Sequence, residues 1–117
     1  MVNDDGGTAI VGDFSITTNA GAVEIDACVT DSDTTTYTTL PLTGLTAGVP
    51  YSLGETDLTG YAEGSWDCGP NSGGGSFDNG EVTLAAGEAA TCTIVNDDIA
   101  PTLTIVKQVV NDNGGNA

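Results

Sequence analysis

The sequence predicts an all-β domain, an antiparallel sandwich or barrel whose first strand is displaced to the end of the chain. Thr, Val and Gly are abundant, and short alternating segments are separated by Gly, Asn and Asp clusters with no sustained helical periodicity. The length of 117 residues suits one domain with a modest core. Residues 2–9 return as residues 110–117, with six of eight positions identical.

This repeat predicts that the chain is one period of an array. The two copies are 108 positions apart, and the apolar alternating segment at residues 102–110 leads only into the second copy. We therefore predict that residues 1–98 form a sandwich lacking its first strand. Residues 99–117 are then a linker and a donor strand belonging to the next domain, as expected for a string of domains or a fibre.

The first half contains four segments that we expect to be strands: residues 13–19, 23–29, 34–40 and 49–56. The second of these alternates most clearly, and its apolar residues are expected to face inward: Val23, Ile25, Ala27 and Val29. The third is rich in Thr and should be half exposed. Residues 31–33 form a loop tip between the second and third strands.

The second half is expected to contain four further strands: residues 65–67, 81–84, 89–96 and 102–110. A Gly-rich flexible loop separates the first two of them at residues 69–80. The last strand places four residues on one face: Leu103, Ile105, Lys107 and Val109.

Three polar residues share faces with residues that should be buried. Lys107 lies between Ile105 and Val109, Asn96 follows Ile94, and Glu55 follows Leu53. Burying such a group costs several kcal/mol unless it is paired, so the three side chains should meet. The alternative is that Lys107 reaches solvent at a strand end, Asn96 caps a turn and Glu55 is exposed.

Three segments of the chain match the pattern of a known family: Tyr-Ser-Leu-Gly-Glu-Thr at residues 51–56 with Gly60 and Tyr61, the strand at residues 91–97, and the strand at residues 103–107. They resemble, in turn, the Glu-containing box, the last strand and the first strand of Cna-B-type domains, the prealbumin-like (Ig-like) β-sandwich modules of bacterial SpaA-type pilins and surface adhesins. The resemblance covers residues 2–110 in circularly shifted order. It implies a self-formed isopeptide bond between Lys107 and Asn96, with Glu55 as the proton shuttle.

The resemblance also bears on the three cysteines. Related domains often carry a Cys after Trp and another in the last strand, which implies a disulfide between Cys68 and Cys92 on either side of the Gly-rich loop. Such a crosslink would contribute about 3 kcal/mol in the chain-entropy description. Cys28 is the odd one and is either free, which we favour, or bridged to another chain.

The final strand is expected to pair outside its own domain. In the resembling family the first and last strands lie side by side and parallel, and parallel neighbours need a crossover of about a dozen residues. Only residues 97–101 are available, and they reach roughly 17 Å. Residues 102–110 should therefore fill the gap in the next unit, with Leu103, Ile105 and Val109 completing its core. The partner is the same chain in a head-to-tail homopolymer, or a neighbouring repeat of one longer polypeptide.

The charge excludes other partner classes. Seventeen acids face one base with no His, so nucleic acid and anionic membranes would be repelled. Three Cys in so acidic a chain indicate an oxidising compartment, hence an extracellular or cell-surface location. The paired aspartates at residues 4–5, 31 and 33, and 97–98 give only a weak calcium signal, because none has EF-hand spacing. We expect no other cofactor.

The function expected is structural: a subunit of an extracellular filament, pilus or adhesin stalk, and not an enzyme apart from the self-crosslinking step. With no His, phosphate loop or metal-type Cys cluster, the sequence has no visible catalytic machinery. The rival is a ligand-binding module whose loops at residues 31–36 and 69–80 recognise a glycan or a host protein. A carboxylate-pair glycosidase is a weaker rival, since the chain has few aromatic residues for a sugar platform.

Overall fold

The computed structural model describes residues 1–68 and 76–116. This part of the chain contains one 3₁₀ turn, Val11–Asp13, and eight short strands. The strands are β1 (Ile16–Thr18), β2 (Ile25–Asp31), β3 (Thr34–Thr39), β4 (Pro50–Glu55), β5 (Tyr61–Glu63), β6 (Ser76–Asp78), β7 (Glu81–Thr83) and β8 (Asn96–Asp98). Within the described ranges, no helix is long and apolar enough to cross a membrane.

One sheet is antiparallel, with the strand order β1-β4-β7-β6. The central strand β4 pairs through Glu55 with Ile16 of β1, and through Tyr51 with Val82 of β7. A two-residue turn, Asn79-Gly80, joins β6 to β7 with φ angles of 51° and 76°. Asn and Gly tolerate these left-handed angles, which two-residue hairpins require.

A second sheet forms around residues 1–3. The hairpin β2–β3 and the antiparallel pair β5–β8 are joined by Val2, which bridges Thr34 in antiparallel and Asp97 in parallel orientation. The Val2 N–H donates to the Asn96 carbonyl at 2.7 Å, and the Asp98 N–H donates to the Val2 carbonyl at 3.1 Å. Residues 1–3 therefore lie beside β8, at the position that a parallel neighbouring strand would occupy.

The two sheets confirm the all-β prediction. The Phe14 ring, just before β1, meets the Tyr61 ring of β5 edge-on with centroids 5.4 Å apart. The core is small: among the described residues, the buried apolar side chains are Cys68 and Val82. A core of this size makes any further apolar strand a large addition to the buried surface.

The prediction that the apolar residues of the second strand face inward is wrong. All seven residues of β2 are exposed, and Ile25 and Val29 are 50% and 62% exposed. The alternation is interrupted by a register shift between Ile25 and Ala27. Alternation identifies a face suited to burial, but the hairpin projects so that neither face of β2 is covered within the described chain.

Several predicted strands are shorter than expected or shifted. The predicted strand at residues 65–67 is reduced to an isolated bridge between Asp67 and Thr93, and β8 begins only where the strand predicted at residues 89–96 should end. Residues 69–75 of the predicted Gly-rich loop lie outside the described residues, whereas residues 76–80 form β6 and its turn. Within residues 1–68 and 76–116, no segment pairs in parallel with the residues just before β8.

The predicted final strand makes no ladder within the described chain. Residues 102–110 belong to no strand, and Leu103 and Ile105 are 84% and 82% exposed. The chain measures 81 × 29 × 22 Å along its principal axes. We call residues 102–110 the donor segment.

Candidate crosslinking site

Asn96 begins β8 and is buried, with 6% of its surface exposed. Burial alternates along this part of the chain: Cys92 and Ile94 are half-buried, Asn96 and Asp98 are buried, and the residues between them are exposed. This alternation places the Asn96 carboxamide on the inner face. A buried primary amide needs partners, which makes it a candidate for reaction with a group that enters the same face.

Glu55 ends β4 and contributes a buried polar atom without a partner. Its side chain is half-buried, and Oε1 is inaccessible to solvent and accepts no hydrogen bond among the described residues. An unsatisfied buried carboxylate oxygen is costly, and native structures satisfy such atoms with few exceptions. The position therefore calls for a hydrogen-bond donor.

Glu55 and Asn96 lie on different sheets, and each is related to Glu63, Asn96 by strand pairing and Glu55 by its charge. Glu63 of β5 is the direct strand partner of Asn96. The pKa of Glu63 is raised, first by a hydrogen bond with Asp57, then by burial, and then by the negative charges of Asp57 and Glu55. The negative charge of Glu55 therefore acts on the residue that pairs with Asn96. Asp57 and Glu63 were not identified from the sequence as members of this acidic group.

Lys107 is placed apart from these two residues. It is exposed in the donor segment, together with Leu103, Ile105 and Val109, whereas Asn96 is buried. In the separate chain, the Lys107 amine is therefore exposed and not on the inner face that carries Asn96.

A disulfide joins Cys68 and Cys92, the pair named from the sequence. Cys68 is 4% exposed, and the bond ties the end of the β5 region to the segment that leads into β8. The bridge thereby helps to position the strand that carries Asn96. Cys28 is a free thiol on the exposed strand β2.

Asp98 organises a feature that the sequence analysis missed. Its carboxylate accepts the backbone N–H groups of Asp4 at 3.0 Å, of Asp5 at 3.0 and 3.1 Å, and of Gly7. We call residues 2–7 the anchor turn. The Tyr61 hydroxyl adds to it by donating to Asn3 Oδ1 and accepting the Ala9 N–H at 3.0 Å. Parity with Asn96 could have placed Asp98 on the inner face, but nothing in the sequence indicated its partners.

The anchor turn is associated with opposite pKa shifts of two aspartates, a lowered pKa for Asp98 and a raised pKa for Asp4. Burial raises the pKa of Asp98, but the backbone hydrogen bonds from Gly7, Asp5 and Asp4 outweigh this effect and lower it below its ordinary value. The pKa of Asp4 is raised, first by burial and then by the negative charge of Asp97, with the Asp98 side chain and the charge of Asp5 adding to the effect. The turn therefore holds Asp98 ionised amid like charges.

Three of these aspartates form the candidate metal cluster of the described residues. Asp4, Asp97 and Asp98 each offer an oxygen, and these atoms lie within 4.8 Å of one another. Both Asp98 oxygens already accept backbone N–H groups, which leaves an incomplete ligand set for Ca²⁺. The cluster is better explained as the setting of the anchor turn.

Comparison with known proteins defines the family. A family model described as a prealbumin-like fold domain, of the SpaA type, matches residues 1–94, which is most of the chain. The comparisons with curated proteins and with solved structures returned no significant match. The match covers both sheets up to the start of β8, including the box at residues 51–56 that contains Glu55. The chain therefore belongs to the SpaA-type prealbumin-like fold domains.

Proposed function

We propose that the chain is a structural repeat of an extracellular fibre, pilus or adhesin stalk. Neighbouring units are joined head-to-tail by donation of residues 102–110, and the joint is locked by an isopeptide bond between Lys107 and Asn96. The observation that carries the proposal is the half-built site: a buried Asn96 and an unpartnered buried Glu55 oxygen, with the only lysine exposed on an unpaired apolar segment.

The register of donation follows from the repeat and from the parallel bridge between Val2 and Asp97. Val110 is the repeat equivalent of Val2, so it would lie opposite Asp97 of the receiving unit. Counting back along parallel strands then sets Val109 opposite Asn96 and Lys107 opposite Ile94.

This register puts the correct face of the donor segment inward. Residues directly paired across a sheet point to the same side, so the face with Lys107 joins the inner face of Ile94 and Asn96. Lys107 is then a diagonal neighbour of Asn96, at about 7–8 Å between backbones, which a lysine side chain can span. Glu55 of the opposite sheet would meet the amine there.

The apolar residues of the donor segment provide the driving force. Leu103, Ile105 and Val109 are 84%, 82% and 51% exposed in the separate chain. Burying each would contribute about 1.5–3 kcal/mol. Since the receiving unit has a small core of its own, the donated face would complete it.

The crosslinking step balances without a cofactor. Lys107 Nζ attacks Asn96 Cγ, an Nζ–Cγ bond forms, and the Cγ–Nδ2 bond breaks. Glu55 takes a proton from the attacking amine and passes one to the leaving nitrogen, which departs as ammonia. Fixed proximity supplies most of the rate, as in other intramolecular reactions.

Mass spectrometry of digested, assembled protein tests the covalent lock. We expect a branched peptide joining Lys107 to Asn96, lighter by one ammonia than the two separate peptides. Lys107→Ala and Glu55→Ala should abolish it, whereas Gln108→Ala, on the outward face, should not. A free amine on every peptide that contains Lys107 would reject the crosslink. Filaments in electron micrographs would support the fibre, and a persistent monomer would oppose it.

A further inference from the structure

The anchor turn has a second copy at the other end of the chain. Residues 110–115, which we call the tail turn, repeat residues 2–7 at five of six positions, the exception being Asn113 in place of Asp5. The backbone repeats as well, since Gly6 and Gly114 have φ angles of 89° and 88°. A left-handed angle at this position is accessible to glycine without strain.

Every group that the Asp98 carboxylate uses is preserved in the tail turn. Asp98 binds backbone N–H groups, and these are independent of the exchange of Asp5 for Asn113. Gly7 packs so closely that a Cβ there would lie 2.7 Å from Asp98 Oδ2 and against the Tyr61 hydroxyl, and Gly115 supplies the same small residue. Asn111 likewise keeps the amide that Asn3 offers to Tyr61.

The single difference favours the tail turn. Asp5 adds its negative charge to a site that already contains Asp4, Asp97 and Asp98, and this charge contributes to the raised pKa of Asp4. Asn113 keeps the N–H and removes the charge. The tail turn should thus bind the ionised Asp98 with less repulsion than the anchor turn does.

We propose that the tail turn of one chain replaces the anchor turn on Asp98 of a second copy, and that Asp98 thereby fixes the register of the donated strand. The inference rests on the proposed strand donation but not on the crosslink. A two-residue slip keeps the same face inward, so burial alone does not exclude it. The Asp98 contacts do exclude it, and they hold Lys107 at the register that reaches Asn96.

Cysteine trapping between two full-length chains tests the register. One chain carries Val110→Cys, and the other carries either Asp97→Cys or Val95→Cys, two exposed positions of the same parity. All chains carry Cys28→Ser to remove the free thiol. Under mild oxidation we expect at least ten times more mixed disulfide with the cysteine at position 97 than at position 95.

The outcomes separate this inference from the proposed function. Equal trapping at both positions, or more at position 95, would overturn the Asp98 register, while strand donation and any crosslink would stand. Trapping at neither position would overturn the register and strand donation together. If the crosslinked peptide is found but trapping shows no preference for position 97, the register is overturned and the proposed function stands.

Glycine variants then test the role of the turn itself. Gly115→Val in the donor should reduce trapping at least tenfold, because the side chain would collide with Asp98 and Tyr61 of the receiver. Asn116→Val is the matched control, since its repeat equivalent Thr8 is exposed. Gly7→Val in the receiver should have the opposite effect and increase trapping by weakening the resident turn. Unchanged trapping with Gly115→Val would contradict the proposal even if the Gly7 variant failed to fold.

Discussion

Replacing Ile105 by Ala should weaken assembly without affecting the separate chain. Ile105 is 82% exposed before assembly, so its truncation removes almost no buried surface there. In the donated register it lies opposite Cys92 on the inner face. The change deletes three carbon atoms, which at about 0.8 kcal/mol each amounts to about 2.4 kcal/mol. At 1.4 kcal/mol per factor of ten, the dissociation constant should rise roughly fiftyfold.

Val106→Ala is the matched control for this prediction. Val106 is 77% exposed in the separate chain and would point outward after donation, opposite Thr93. Its truncation should change the dissociation constant by less than about threefold, in line with surface substitutions of up to roughly 0.5 kcal/mol. Sedimentation velocity over a concentration series measures both, in the Lys107→Ala background so that association stays reversible. A larger effect from Val106 than from Ile105 would refute the assigned face.

Three further outcomes are expected. Replacing Cys68 and Cys92 by Ser should lower the free energy of unfolding by about 3.4 kcal/mol for a sequence separation of 24, as measured by denaturant unfolding. The control Cys28→Ser should leave it nearly unchanged. A loss below about 1 kcal/mol for the double variant would contradict the role of the disulfide as a constraint on the unfolded chain. Because the pKa of Asp98 lies below its ordinary 3.8, its stabilisation is present above about pH 4 and is lost as the pH falls through the lowered value. The stability difference between the parent and Asp98→Asn should thus shrink below pH 4, and a constant difference from pH 6 to pH 2 would oppose this reasoning. Millimolar calcium should leave the melting temperature unchanged, and a large rise reversed by chelator would show that the aspartate cluster is a site.

The sequence predicted best where a pattern is enforced by local chemistry. Alternation placed Glu55 and Asn96 on inner faces, and the structure has them half-buried and buried. The same rule was wrong for Ile25 and Val29, because alternation cannot tell whether a second layer covers the strand. A hydrophobic face is a local property of the sequence, whereas its cover depends on tertiary contacts.

The Asp98 contacts show a different limit of sequence reasoning. The repeat of residues 2–7 was evident, but its meaning depends on a partner more than 90 residues away that binds only backbone groups. Backbone N–H groups carry no residue signature, so no motif could have revealed that partner. Gly6 and Gly7 were the available signal, since Gly6 adopts a left-handed φ angle and the backbone of Gly7 closely approaches Asp98.

The parallel pairing of residues 1–3 with β8 has a mechanical consequence. In this arrangement the chain enters at one end of the paired segments and leaves β8 at the other. Tension applied along the polypeptide would pull the two segments past each other in shear, so that their hydrogen bonds must break together. An antiparallel pair pulled from adjacent ends would instead break its hydrogen bonds one at a time. In the proposed fibre the donor segment would replace residues 1–3 in the same parallel orientation, so axial force would load its pairing with β8 in shear as well.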